Sequence, residues 1–432
     1  MIEVGILKNF DSATYKAGVQ LAGSLTTYFD DLNVAKNIAS AAMVVGNYVI
    51  VAIPNDNPKD ACIIASWPSG NSGGGEGGAT VSTANKTIYV DKAATGAADG
   101  TSWTDAFTTI QAAVDSIEDI IVHDYTIIVR KGTTPYRETV YLNSDPASHP
   151  SHSILGTLAI KGEFYLSGDY EANVGGAGEI TDTGAFGSVA VGDKVLVLDY
   201  NGANNRVQNY EYCTVDDISH APNRISTDGA KTPSTGWKYT IARTEVSGSD
   251  DGTDGGTARD FCIYAKGMDY ITIQGFYFTF SDSYAVALYA SKYSYVRDVI
   301  LEECDMGVAC RGLSYVDVDR IFAKVGARAL YFANYAKVNV SQVAFDTPGQ
   351  PAFMGRAGGA CYVNGFYIYR AAKGIDVQGL SLIDYLSKGT ISSSVTTGVY
   401  ARTNSSCHYS YTTNNATTPE NPAGTTEGAY IY

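Results

Sequence analysis

Two carboxylates stand on alternate residues in Tyr315-Val316-Asp317-Val318-Asp319. If this stretch is a strand, Val316 and Val318 point to one face and Asp317 and Asp319 to the other. The carboxylates then lie about 7 Å apart on the outer face. A pair at that separation suits acid/base cleavage of a glycosidic bond. Aligning the chain on residues that lead short apolar stretches puts Arg297, Asn339, Asn364 and Asp384 in the same polar column. The candidate catalytic set is therefore Asp317, Asp319, Arg297 and Asp384. The alternative is a solvated polar stripe with Arg297–Asp317 stacking, where such pairs contribute little. A second acidic cluster, Glu302-Glu303-Cys304-Asp305, reads as a solvated corner.

Those residues need a scaffold that repeats. The lead residues are Tyr270, Tyr295, Tyr315, Lys337, Tyr362, Leu382 and His408. Their mean spacing is about 23 residues, the range of a solenoid. β-Branched and aromatic residues dominate, helical spacing is absent, and Gly, Asp, Asn and Ser fill the corners. The expectation is an all-β chain whose main body is a right-handed parallel β-helix, one rung per repeat. No rung buries its apolar face alone, so the stack is the cooperative unit.

The 432 residues divide further. Residues 1–68 read as a small OB-like β-barrel that serves attachment, with a hairpin around Asp11-Ser12-Ala13. Residues 69–84 are a Gly-rich linker. Residues 85–167 hold a cap and the first rungs, with an amphipathic helix marked by Phe107, Ile110, Val114, Ile117 and Ile121 and capped by Thr104 or Asp105. Residues 168–258 read as an inserted small β-barrel, 259–411 as the central rungs, and 412–432 as a C-terminal tail that wraps the last rung or extends from it.

Composition narrows the function. A net charge of -15 disfavours nucleic acid and anionic membrane surfaces as partners. No apolar segment approaches a membrane span, so no membrane insertion is expected. The start lacks a basic, apolar leader, which suggests synthesis in a cytoplasm and release by lysis. Seven cysteines without metal spacing read as buried thiols. No metal site is expected; the one calcium-like composition, Asp250-Asp251-Gly252-Thr253-Asp254, lacks the ligand spacing of a calcium loop. No other cofactor is implied. The 32 tyrosines suit sugar stacking or an interface between coils. Tyr293, Tyr295, Tyr315, Tyr335 and Tyr362 are the residues assigned to such a surface.

Thr87-Ile88-Tyr89-Val90-Asp91, then Gly100-Thr101-Ser102-Trp103, then Ala106-Phe107-Thr108-Thr109-Ile110-Gln111-Ala112-Ala113-Val114 resembles the opening of the pectate-lyase-like β-helix superfamily. That superfamily includes bacteriophage tailspikes, polysaccharide lyases and galacturonases. The layout of a small N-terminal domain, a Gly linker and a β-helix is similar to phage tail proteins. The resemblance implies a homotrimeric tail spike or fibre in a virion. Residues 1–68 would dock to other virion proteins, and the coil would bind a host cell-surface polysaccharide. It also leaves open a polysaccharide depolymerase, lyase or hydrolase, and a non-catalytic capsid or tail decoration protein. The galacturonase pattern of several Asp with a nearby His is absent, because none of the five histidines lies within 259–400. Arg297, Arg311 and Arg320 beside Asp317 and Asp319 keep a lyase conceivable, with no motif to carry over.

Overall fold

Three parallel ladders run through the chain in the computed structural model. It describes every residue except 1, 22–27, 37, 54–56, 68–79, 144–151, 170–176, 202–205, 220, 222, 231–236, 249–258, 403, 410–412, 417, 422–429 and 432. The chain divides into two units. One comprises residues 1–85 and 118–123, the other 86–117 and 124–432.

The larger unit is a parallel β-helix. Its first ladder stacks Lys86–Val90, Asp124–Val129, Thr157–Gly162, Ile271–Gln274, then 294–297, 315–319, 337–341, 360–364, Leu382–Ser387, Ser406–Tyr409 and Tyr430–Ile431. A second ladder follows through Thr244–Ser247, Phe276–Thr279, 299–302 and 321–324. A third runs through Arg259–Lys266, Ser281–Tyr289, Met306–Arg311 and Leu330–Ala333. Alternation sets the core. Ile273, Val296, Val318, Val340, Val363 and Leu386 stack at intervals of 22 or 23 residues, all fully or almost fully buried. Burial of such a side chain is worth about 1.5–3 kcal/mol, and each exists only because the rungs above and below cover it. Phe345, Phe353 and Phe366 fill the interior, the first pair tilted and the second edge-on. The cysteines in the coil are buried thiols outside any disulfide, as their apolar use predicts.

The expected period holds, but the alignment of lead residues holds only in part. Tyr315 does sit beside Lys337, but Tyr295 sits beside Asp317 and Tyr362 beside Asn339, each two residues out. The reason is that rungs differ in where the corner takes up its extra residue, so residues of like type drift out of register. The described strands of the tail belong to the coil: Thr413–Asn414, Thr418–Asn421 and Tyr430–Ile431 each add one more strand to a ladder.

Between the first and second ladders each central rung turns on one left-handed residue. These are Gly275, Asp298, Arg320, Gln342 and Gly365, with φ of 78°, 54°, 50°, 54° and 76°. At the equivalent corner after Gly162, the chain leaves the coil and re-enters at Thr244. The excursion holds six antiparallel-paired strands in the order Tyr165–Asp169, Lys238–Ala242, Lys194–Asn201, Arg206–Asp217, Arg224–Thr227, Glu179–Thr181. Among the described residues this sheet is open where a closed barrel was expected. Val195 and Val197 face its own core, whereas Leu196 and Leu198 pack on Ile300, Phe322, Ala344 and Tyr367 of the coil. A sheet whose second face is covered by another layer has no need to close on itself.

The helix is shorter than its periodicity predicts, Ile110–Asp115. Thr109 Oγ1 caps it, accepting from Ala112 N, and Glu138 accepts from the Ile110 and Gln111 amides at 2.8 and 2.9 Å. Asp105 instead ties down the preceding loop through Ala97 N and Ser102 Oγ. Ile120–Ile121, expected in the helix, is strand.

The smaller unit is a closed five-stranded barrel of Ile2–Asp11, Lys16–Leu21, Tyr28–Val34, Tyr48–Ala52 and Cys62–Trp67. Leu7, Val19, Val49, Val51 and Ile63 fill it. Residues 69–79 of the expected linker lie outside the described residues. Its end is held: Val81 bridges Ile120, and Asp119 accepts from Thr80 N and Oγ1 at 2.6 and 2.9 Å.

Candidate functional site: an acidic and aromatic cleft

The alternation of valine with aspartate places Asp317 and Asp319 outward, each partly exposed, over buried Val316 and Val318. Register then supplies their neighbours. Tyr295, Asp317, Asn339 and Tyr362 form one outward column, and Arg297, Asp319, Ser341 and Asn364 form the next. The column anticipated from sequence mixes the two. Together these eight residues line a cleft of about 570 Å³, within the size range of small-ligand sites. Arg297, Asp317 and Asp319 are thus brought together with Tyr295 and Tyr362. Asp384 is not. It occupies the bulge between Ile383, paired with Cys361, and Tyr385, paired with Tyr362, and so has no partner in the ladder.

The two carboxylates differ. Asn339 Nδ2 donates to Asp317 Oδ1 at 2.8 Å and to Tyr315 Oη at 2.9 Å. Asp319 accepts from Ser341 Oγ at 2.5 Å and from Arg320 Nη1. Burial pushes the Asp319 carboxyl above its ordinary range and outweighs the Ser341 hydrogen bond and the Arg320 charge, which act the other way. Arg320 also holds Asp298 with two hydrogen bonds, at 2.5 and 3.1 Å, and Gln274 Nε2 donates to Asp298 at 2.6 Å. Arg297 lies 5.7 Å from the Tyr295 ring centroid, and its Nε is buried with no hydrogen-bond partner among the described residues.

The aromatic edge is wet. Tyr295 and Tyr362 are 40% and 42% exposed. Tyr270 and Tyr293 stack at 5.2 Å, and Tyr293 meets Tyr315 at 5.9 Å. All three are exposed, as is Tyr335. Sequence reasoning missed Asp298, Gln274 and Tyr165. Tyr165 comes from the excursion and packs over Gly275, where a Cβ would meet its ring at 2.5 Å; Gly275 is therefore required by contact as well as by its positive φ. Burial and the Asp298 charge raise the Tyr165 hydroxyl, while Arg297 and Arg320 lower it. A single glycine at a corner is the only trace of that approach in the sequence. The calcium candidates Asp250, Asp251 and Asp254 lie outside the described residues.

Fold and cleft define the class: a parallel β-helix protein with a polar, tyrosine-edged groove on one outer sheet. No family model matches the chain, and no curated protein matches it. Among solved structures, XylC in complex with xylose is 14% identical, covering 77% of this chain and 66% of that one, with a TM-score of 0.40. A Yersinia enterocolitica family 28 exopolygalacturonase is 14% identical over 89% of this chain and 69% of that one, TM-score 0.36. The Pseudomonas phage phi297 tailspike gp61 is 13% identical over 75% and 66%, TM-score 0.26. The chain therefore spans just under two thirds of the length of XylC and of that tailspike.

Proposed function

We propose that the cleft binds a saccharide chain and that the protein is a virion appendage, a tail spike or fibre, reading a host surface glycan. One observation carries the binding part. Two exposed tyrosines flank a groove lined by Arg297, Asp317, Asp319, Asn339, Ser341 and Asn364. Ring faces pack on sugar C–H groups while planar polar side chains take up hydroxyls. The appendage part, with a homotrimeric coil and residues 1–68 as the docking module, rests on the domain layout. The test is titration of the full chain with host capsular and lipopolysaccharide oligosaccharides. Tyr295→Ala and Tyr362→Ala should each weaken binding at least tenfold. Undiminished binding by both variants sinks the cleft reading. Light scattering that finds a monomer sinks the trimeric appendage.

A second reading, glycan hydrolysis, is favoured by Asp319. A carboxyl pushed upward by burial, on the same outer face as a second carboxylate about 7 Å away, matches the arrangement of an inverting glycosidase, whose separation is roughly 6.5–9.5 Å. Chromatography of glycan incubated with the wild type, Asp317→Asn and Asp319→Asn separates the two. Product from the wild type and from neither variant supports hydrolysis; no product from any leaves a binding groove.

A further inference from the structure

A second cationic and aromatic site lies on the third ladder, away from the cleft strands. Its outward register column reads Tyr264, Ala287, Ala309, Tyr331. Ala287 and Ala309 are fully buried because Phe261, Tyr264, Tyr284, Tyr289, Met306 and Tyr331 close over them. Two guanidinium groups sit among these rings. Arg311 Cζ lies 5.1 Å from the Tyr289 centroid and 5.7 Å from that of Tyr331, and its Nη1 donates to Tyr289 Oη at 2.8 Å. Arg328 Cζ lies 5.8 Å from the same Tyr331 ring, with Nη1 3.3 Å from Met306 Sδ.

Neither arginine forms an ion pair among the described residues, and both Nε atoms are buried without an acceptor. Asp305 lies near enough for the Arg328 charge to act on it, but outside ion-pair distance. In a chain where 45 acidic residues face 30 lysines and arginines, two half-desolvated cations without a carboxylate are conspicuous. A partly buried charge is costly unless a counter-charge meets it. The rings hold both side chains in place beforehand, so an incoming anion meets preorganised donors.

We infer that Arg311 and Arg328 bind the carboxylate of an acidic sugar, with Tyr331 between them as the ring its pyranose face rests on. The planar fork of a guanidinium matches a carboxylate with two parallel hydrogen bonds. A second copy of the chain fits less well. A stable protein interface needs about 800 Å² from each partner, and the rings of this cluster are at most partly exposed. The widely exposed Tyr270, Tyr293, Tyr295, Tyr315 and Tyr362 belong to the cleft edge instead.

The test is calorimetric titration of the full chain, at low salt, with a hexasaccharide of alternating glucuronate and N-acetylglucosamine. Two comparison ligands are its carboxyl-reduced form and a sulfated hexasaccharide. Arg311→Gln combined with Arg328→Gln should weaken the glucuronate ligand at least tenfold, and Tyr295→Ala should leave it within twofold. The reduced ligand should not bind at this site, and the sulfated one should bind more weakly. Arg311→Lys with Arg328→Lys, which keeps the charge and the packing, should retain part of the affinity and guards against a folding defect in the glutamine pair. The inference is overturned if the glucuronate ligand does not bind, if only Tyr295→Ala abolishes binding, or if the sulfated ligand binds as tightly. It is also overturned if the glutamine pair changes the oligomeric state and leaves saccharide affinity untouched.

Discussion

Strands Ser294–Cys304 and Tyr315–Val325 each present two outer faces, one before the left-handed corner residue and one after it. Before the corner the outward residues are Tyr295, Arg297, Asp317 and Asp319, and they line an open cleft. After it they are Ile300, Glu302, Phe322 and Lys324, and the excursion's sheet lies on Ile300 and Phe322. Backbone and alternation are the same on both sides. What differs is the layer above. Glu302 accepts from Tyr212 Oη at 2.8 Å, from Tyr277 Oη at 2.7 Å and from Lys324 Nζ at 3.1 Å. Burial alone would raise its carboxyl, but these donors outweigh it and hold Glu302 below its ordinary value. For Asp319 the balance falls the other way. Two outward carboxylates on neighbouring rungs are thus driven in opposite directions by their cover.

The contrast breaks most severely if the cover is removed. Excising 163–243 leaves Lys161-Gly162-Thr244, the one-residue corner used by the other rungs. The coil should still form, with Ile300, Phe322 and Tyr367 now wet at roughly 1.5–3 kcal/mol each. Dye binding and light scattering should report a sticky, associating species; a clean, fully stable product would show that the excursion does not support the coil. Phe322→Ala is next. Phe322 stacks on Tyr212 at 4.9 Å, and its loss should cost about 3–5 kcal/mol in denaturant unfolding, with saccharide binding retained.

Glu302→Gln should cost about 1–3 kcal/mol at neutral pH, because the Lys324 partner and the strength of the phenol hydrogen bonds are lost. A carboxyl held low in the fold adds stability that is present above its unfolded value of 4.5 and vanishes as pH falls through the folded one. The variant should therefore flatten the acid limb of a stability–pH curve. Asp319→Asn should have the smallest effect on stability, within about 0.5 kcal/mol, and the opposite pH signature. A raised carboxyl adds stability below its unfolded value of 3.8 that is lost as pH rises through the folded one, so the variant removes that loss. It should still abolish product formation if the cleft hydrolyses glycans. An unchanged pH profile in both variants would remove the electrostatic difference between the faces.

Much of the cleft was legible without coordinates, for a physical reason. Strand alternation has a period of two and needs no partner, so Asp317 and Asp319 fall on one outer face from Val316 and Val318 alone. A solenoid period near 23 is likewise written in the chain, because every rung must bury the same apolar positions. That logic also reached Arg297, Tyr295 and Tyr362. It failed for Asp384, which a bulge removes from the ladder, and it merged two columns into one, because corners of unequal length shift the register by a residue or two without altering composition.

The amino-acid sequence by itself determined the rung, its apolar lining and the outward direction of the acidic pair, all properties of local alternation and repeat. The tertiary structure alone decided which rung residues are neighbours, that a sheet launched from a corner buries one outward face, and that Tyr165, Arg320 and Asp298 crowd the edge of the other. Those outcomes depend on contacts between residues tens to hundreds of positions apart, and the burial that pushes Asp319 up and the donors that hold Glu302 down exist only once such contacts have formed.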